Sequence, residues 1–96
     1  MKESQFQSSL IKKIKEMFPG CIVTKNDAEY TQGFPDLTIL YGKHWALLEC
    51  KRSEDSPHRP NQDFYILKAN EMSFGRFVFP ENEEEVLNDL QSAFRS

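Results

Sequence analysis

Two apolar runs separated by two residues constrain this chain more than any other feature. "DLTILY" (residues 36–41) and "HWALLECK" (residues 44–51) are joined only by Gly42 and Lys43. So short a link suits a tight hairpin, and the two runs must then pair antiparallel. Counting outward from the turn, Tyr41 faces His44 and Leu40 faces Trp45; with no bulge, Asp36 reaches Glu49. Side chains alternate along a strand, so Glu49 and Lys51 share a face with Trp45 and Leu47. Ala46, Leu48 and Cys50 take the opposite, more uniformly apolar face.

Carboxylates directly opposed in a ladder repel each other by up to about 1 kcal/mol unless something neutralises them. A hard divalent cation such as Mg²⁺ would do so, since it takes carboxylate oxygens and keeps positions open for water and phosphate. Lys51, on the same face and one pleat further on, could then meet the attacking water or the phosphate. Each residue alone also has an ordinary reading. Asp36 fits a strand-start residue accepting backbone hydrogen bonds. Glu49 and Lys51 fit a solvated sheet face, which the apolar neighbours Trp45 and Leu47 argue against. The information lies in the conjunction: Pro-Asp opening an apolar strand, a hairpin, and Glu-x-Lys in register on the partner.

The remainder of the chain supplies the frame. Phe6, Leu10, Ile14 and Met17, with Ile11 and Phe18 alongside, recur at helical spacing and predict a helix from Glu3 to Phe18, ended by Pro19-Gly20. Lys12, Lys13 and Lys15 fall on its polar side. "CIVTK" (21–25) reads as a short strand, and "NDAEYTQGFP" (26–35) as a loop in which Tyr30 is a candidate substrate contact. "RSEDSPHRP" (52–60) is a second loop, either solvated or tracking phosphates with Arg52, His58 and Arg59. Phe64, Ile66, Leu67 and Met72 predict a helix from Asn61 to about Met72; "RFVFP" (76–80) predicts a fourth strand. Asn82 and Glu85 have capping-box spacing ahead of a last helix with Val86, Leu87, Leu90 and Phe94 inward. Phe64, Tyr65, Phe77 and Phe79 sit at core-like spacing. His44 and His58 are too far apart in sequence to suggest a zinc pair. The order α-β-β-β-α-β-α predicts an α/β fold, a small mixed sheet flanked by helices, with residues 1–96 forming a single domain.

Composition excludes some classes of function. Hydrophobic residues make up 39% and charged residues 28%, which is globular and not disordered. The apolar runs are too short for a membrane span and "MKESQFQSS" lacks a signal-peptide pattern, so an intracellular, cytoplasmic protein is expected. Cys21 and Cys50 lie in strand-like sequence and read as buried free thiols. The net charge of −3 is a C-terminal matter: residues 81–96 carry five acids and one base, residues 1–80 eleven bases and ten acids. It neither favours nor excludes a nucleic-acid partner.

With those residues in view, "GFPDLTIL", "LLECK" and "NQDFYILKA" together resemble the small, phage-type VRR-NUC branch of the PD-(D/E)xK nuclease superfamily, over roughly residues 3 to 79. The resemblance implies a restriction-endonuclease-like core and metal binding by Asp36, Glu49 and the backbone carbonyl of Cys50. It implies that Lys51 positions or activates the water, that Gln62 at the start of the following helix completes the site, and that Glu3 lies near the metal. Taken by themselves, Gln62 also fits a plain helix-start residue and Glu3 an ordinary exposed helix acid. Gly33 matches a tight turn delivering Asp36, whereas Cys50 departs from the β-branched residue of many relatives.

The expectation is therefore a Mg²⁺- or Mn²⁺-dependent endodeoxyribonuclease acting on branched or structured DNA such as Holliday junctions. Membranes play no part, and the host would be a bacterium if the gene is carried by a phage or mobile element. Symmetric cutting of two junction strands needs two copies, which predicts a homodimer. The rivals are a flap or nicking nuclease, a catalytically silent nucleic-acid-binding module of the same fold, and a protein-interaction domain docking through the acidic helix from Glu81 to Asp89.

Overall fold

A computed structural model describes residues 2–95. The elements run α1 (Glu3–Met17), β1 (Ile22–Lys25), β2 (Leu37–Tyr41), β3 (His44–Cys50), α2 (Gln62–Met72), β4 (Gly75–Val78) and α3 (Glu83–Arg95). This is the expected order of three helices and four strands. The sheet order is β1-β2-β3-β4, with β1, β2 and β3 antiparallel in turn and β4 parallel to β3. A parallel neighbour requires a crossover, and the stretch containing α2 supplies it. No helix among the described residues is long and apolar enough to cross a membrane.

The hairpin register is the one counted from the sequence. Pairs run from Tyr41 with His44 to Leu37 with Leu48 without a bulge, so Asp36 and Glu49 stand next in line. Gly42 has φ +60 and no neighbour within 4 Å, fitting the first central position of a type II′ turn.

Because strand side chains alternate, Leu37, Ile39, Ala46, Leu48 and Cys50 all point to one face. There they pack with Phe6, Leu10, Ile14 and Phe18 from α1 and with Val86, Leu87, Leu90 and Phe94 from α3. Phe18, Tyr41 and Phe94 meet ring to ring at one end, with centroids 5.1 to 5.9 Å apart. Burial of these side chains, each contributing about 1.5–3 kcal/mol, is the main force holding the sheet to its helices. Across the sheet, α2 packs on β3 and β4. A Cβ on Gly75 would lie 2.5 Å from the Ile66 carbonyl oxygen and 2.9 Å from Ala69 Cβ, so only glycine allows that approach.

Two expectations change here. The fourth strand is Gly75–Val78 and not Arg76–Pro80, because Gly75 must lie in the sheet for α2 to seat on it. Phe64, expected in the core, is 60% exposed, and Leu67 and Met72 are each 66% exposed. The face of α2 turned inward is Gln62, Ile66 and Ala69. A small residue is needed opposite Gly75, and Gln62 at the helix start has a buried partner in Glu49. Tyr65, Phe77 and Phe79 are half-buried.

Candidate metal centre and active site

Among the described residues, the buried polar or charged ones are Glu49, Lys51 and Gln62, at 4%, 6% and 7% exposure. They form one chain of contacts. Gln62 Nε2 donates to Glu49 Oε2 at 3.1 Å, and Lys51 Nζ donates to Gln62 Oε1 at 2.7 Å. Lys51 Nζ also donates to the Pro57 carbonyl at 3.0 Å and lies 4.0 Å from Glu49 Oε2. The Arg59 N–H adds a second bond to Gln62 Oε1 at 2.8 Å. Gln62 is therefore fixed in orientation, its oxygen toward Lys51 and its amide nitrogen toward Glu49.

Asp36 enters from the loop before β2. Its Oδ2 accepts from the Cys50 N–H at 2.9 Å, while its own carbonyl accepts from the Asn26 N–H at 2.7 Å. Asn26 pins the approach further, its Nδ2 donating to the Pro35 carbonyl at 2.9 Å and to Thr38 Oγ1 at 2.8 Å. Gly33 explains how the loop closes: it has φ +83, and a Cβ there would lie 2.5 Å from the Pro60 carbonyl oxygen and 2.7 Å from Asn61 Cβ. The loop leading to Asp36 thus rests on the turn leading into α2, and glycine meets both demands.

These side chains line a cleft of about 580 Å³, with Lys2, Glu3, Arg52 and Arg59 also on its walls. Burial first, and then the charge of Asp36 beside it, push the Glu49 carboxyl up from 4.5 to about 8; Lys51 works against this, and Glu3 adds a smaller push. Among the described residues, two buried carboxylate oxygens lack a hydrogen-bond partner. One is Glu83 Oε2, whose twin oxygen pairs with Lys13 at 2.6 Å; the other is Glu49 Oε1. A buried acceptor left unpaired costs about 1–3 kcal/mol, so Glu49 Oε1 marks a place where a ligand would relieve a penalty.

The donors present suit a hard cation. Asp36 and Glu49 offer carboxylate oxygens. A strand residue points its C=O to the same edge as its N–H, so the Cys50 carbonyl lies on the side of Asp36. The Cys50 thiol itself is in the core, and burial first, then the Asp36 charge, hold it protonated, with Gln7 beside it working the other way. It is no thiolate ligand. Among the described residues no three His, Cys, Asp or Glu side chains converge closely enough to hold an ion alone. An ion here would draw its remaining ligands from backbone, water or substrate oxygens, as Mg²⁺ does.

The structure brings Asp36, Glu49, Cys50, Lys51 and Gln62 together, with Glu3 on the cleft wall and exposed. His44 lies away from them, stacked on Phe94 with centroids 5.6 Å apart. Tyr30 is 91% exposed, at a hollow whose wall residue Phe34 also lines the cleft. Sequence reasoning missed Asn26, Gln7 and the backbone groups of Pro57 and Arg59. No spacing rule points to them: Asn26, Pro57 and Arg59 act from loops, and Gln7 reaches Cys50 from α1.

No protein-family model matches the chain, and no curated protein matches its sequence. In three dimensions it is similar to a solved structure described as a VRR_NUC domain protein, with a TM-score of 0.65 and 17% identity, over 93% of this chain and 87% of that one. The likeness is one of fold: this chain has the fold of that VRR-NUC domain.

Proposed function

We propose that the chain is a Mg²⁺- or Mn²⁺-dependent endonuclease that hydrolyses DNA phosphodiester bonds, with branched DNA such as a four-way junction as its substrate and a homodimer as its working form. The observation that carries this reading is the part-buried Asp36 beside the buried Glu49, with an unpartnered oxygen on Glu49. The VRR-NUC fold adds support, as does the placing of Lys51 and Gln62 beside that pair.

A divalent ion bound between Asp36, Glu49 and the Cys50 carbonyl would supply Lewis acidity toward phosphate and water. The chain's own groups do the rest. Lys51 spends two N–H bonds on Pro57 and Gln62, which fixes its ammonium at the cleft, and keeps its third for a phosphate oxygen or water. Held there before substrate arrives, its charge stabilises negative charge developing on the phosphate without reorganisation. Gln62 holds Glu49 and Lys51 at a fixed separation. Arg52 and Arg59, on the cleft wall, suit the neighbouring phosphates. Hydrolysis addresses the backbone, so few base contacts are needed, and two symmetric cuts in a junction call for two copies.

The test is cleavage of an end-labelled four-way junction with Mg²⁺ or Mn²⁺, beside flap, single-strand and linear duplex substrates and the Asp36→Ala and Lys51→Ala variants. Paired, metal-dependent cuts in the junction, absent from both variants, are expected. Binding without cleavage on every substrate and with both metals would overturn the reading in favour of a silent binding module.

A further inference from the structure

The segment from Ser56 to Pro60, between β3 and α2, carries residues that face opposite ways. Pro57 and Arg59 line the cleft. His58 between them makes its contacts elsewhere: its ring stacks on Phe77 of β4, with centroids 4.0 Å apart and planes 16° apart. Its Nδ1 lies 2.8 Å from Asp63 Oδ1 in the first turn of α2. The two neighbours of His58 are the residues whose backbone holds the site, Pro57 through its carbonyl to Lys51 and Arg59 through its N–H to Gln62.

We propose that His58 is a positioning residue, a clasp that fastens this strap to Phe77 and Asp63 and so holds Lys51 and Gln62 in place. Its catalytic consequence rests on the nuclease reading above. Its other fastenings lie on the far side of His58 from Pro57, where the Arg59 carbonyl accepts from the Gln62 N–H at 3.2 Å and Pro60 rests against Gly33. Pro57 and Pro60 have no N–H to donate, and the turn between Ser53 and Ser56, with bonds of 3.1 and 3.2 Å, lies upstream of the residues that matter. If the strap lifts, Lys51 loses one of its two acceptors and Gln62 loses the bond that orients its amide. A compact, strongly hydrated ammonium then swings out to water. The loss of one ring stack and one exposed hydrogen bond corresponds to about a tenfold rise in the lifted population.

The experiment is acylation of lysines in metal-free protein with an acetylating reagent, read residue by residue by mass spectrometry beside a thermal melt. The exposed Lys12, Lys15 and Lys43 serve as internal standards. In the unaltered protein Lys51 is expected to react far more slowly than these. His58→Ala should raise its rate about tenfold with the standards unchanged, and Asp63→Ala, at a side chain 66% exposed, about threefold. Asp63→Asn, which keeps an oxygen for the ring N–H, should leave Lys51 protected. With Mn²⁺ and a junction, kcat should fall in the same order. Lys51 remaining protected in folded His58→Ala and Asp63→Ala protein would overturn the proposal; if the first variant does not fold, the second decides alone. A rise in Lys51 labelling beside an unaltered protein that cuts no nucleic acid would keep the clasp and remove the nuclease reading.

Discussion

Replacing Glu49 with glutamine should make the metal-free protein more stable, and by an amount that depends on pH. In the unfolded chain Glu49 ionises near 4.5; in the folded chain burial and the Asp36 charge keep it protonated up to about 8. Below pH 4.5 both states carry the proton and the group is neutral toward folding. Between 4.5 and 8 the unfolded state gains by ionising and the folded state does not, so stability falls as pH rises and levels off above 8. At pH 7 the accumulated penalty is at most about 3.5 kcal/mol, at about 1.4 kcal/mol per pH unit above 4.5. Glutamine keeps the shape, can still offer an oxygen to Gln62, and removes the titration. We expect Glu49→Gln to gain roughly 1–3 kcal/mol at pH 7, at about 4–8 °C of Tm per kcal/mol in a chain of this size. Thermal or urea unfolding in chelator at pH 4, 6, 7 and 8 measures it, and the gain should vanish at pH 4. Mn²⁺ should stabilise the unaltered protein and not the variant, by about 2.7 kcal/mol at a hundred times Kd and about 4.1 kcal/mol at a thousand times Kd, where the order reverses. The affinity for Mn²⁺ should fall about tenfold per pH unit below 8, since the ion must displace one proton. A variant gain that is constant from pH 4 to 8, or a loss at pH 8, would refute the reasoning.

Three further outcomes follow from single contacts. Gly33→Ala should cost more than 2 kcal/mol and abolish cleavage, because it combines a strained φ with a clash against Pro60 and Asn61; a melt and a cleavage assay on one preparation check it. Gln62→Ala should cost about 1–3 kcal/mol, since it strips a partner from Glu49 and from Lys51 together, and a Gln62→Glu variant, offering no donor to Glu49 when ionised, should not restore it. Tyr30→Ala should leave the melting curve unchanged, as expected of a side chain 91% exposed, while weakening binding of junctions with unpaired bases more than of linear duplex in a gel-shift titration without metal.

The parts of this molecule legible in the sequence are those whose geometry is set locally. A two-residue turn fixes strand direction, and the alternation of side chains then fixes which residues oppose one another; Asp36 could be placed against Glu49 by counting alone. The inward faces of α1 and α3 were legible for the same reason, because the period of a helix sorts Phe6, Leu10 and Ile14 from their neighbours. The orientation of α2 was not. Phe64, Leu67 and Met72 are as apolar as Ile66, and nothing within the helix reveals that Gly75, three residues beyond its end, would demand Ala69 on the inner face. The strap carrying Pro57 and Arg59 was opaque because its role rests on backbone atoms, which every sequence possesses alike.

The two carboxylates therefore hang from different supports. Asp36 is held by the hairpin and by Asn26, groups that come together once β1, β2 and β3 pair. Glu49 Oε2 takes its hydrogen bond from Gln62, and Gln62 is in place only when α2 has crossed over and the strap has closed on it. Metal affinity should accordingly be more fragile than the fold. A change that loosens α2 or the strap leaves the core of α1, α3 and the inner sheet face untouched, yet it frees Glu49 and Lys51 to seek water. Gly33 is where the two supports touch, since its missing side chain lets the Asp36 loop rest on the turn that begins α2. That contact, and not the hairpin alone, sets the distance between the carboxylates.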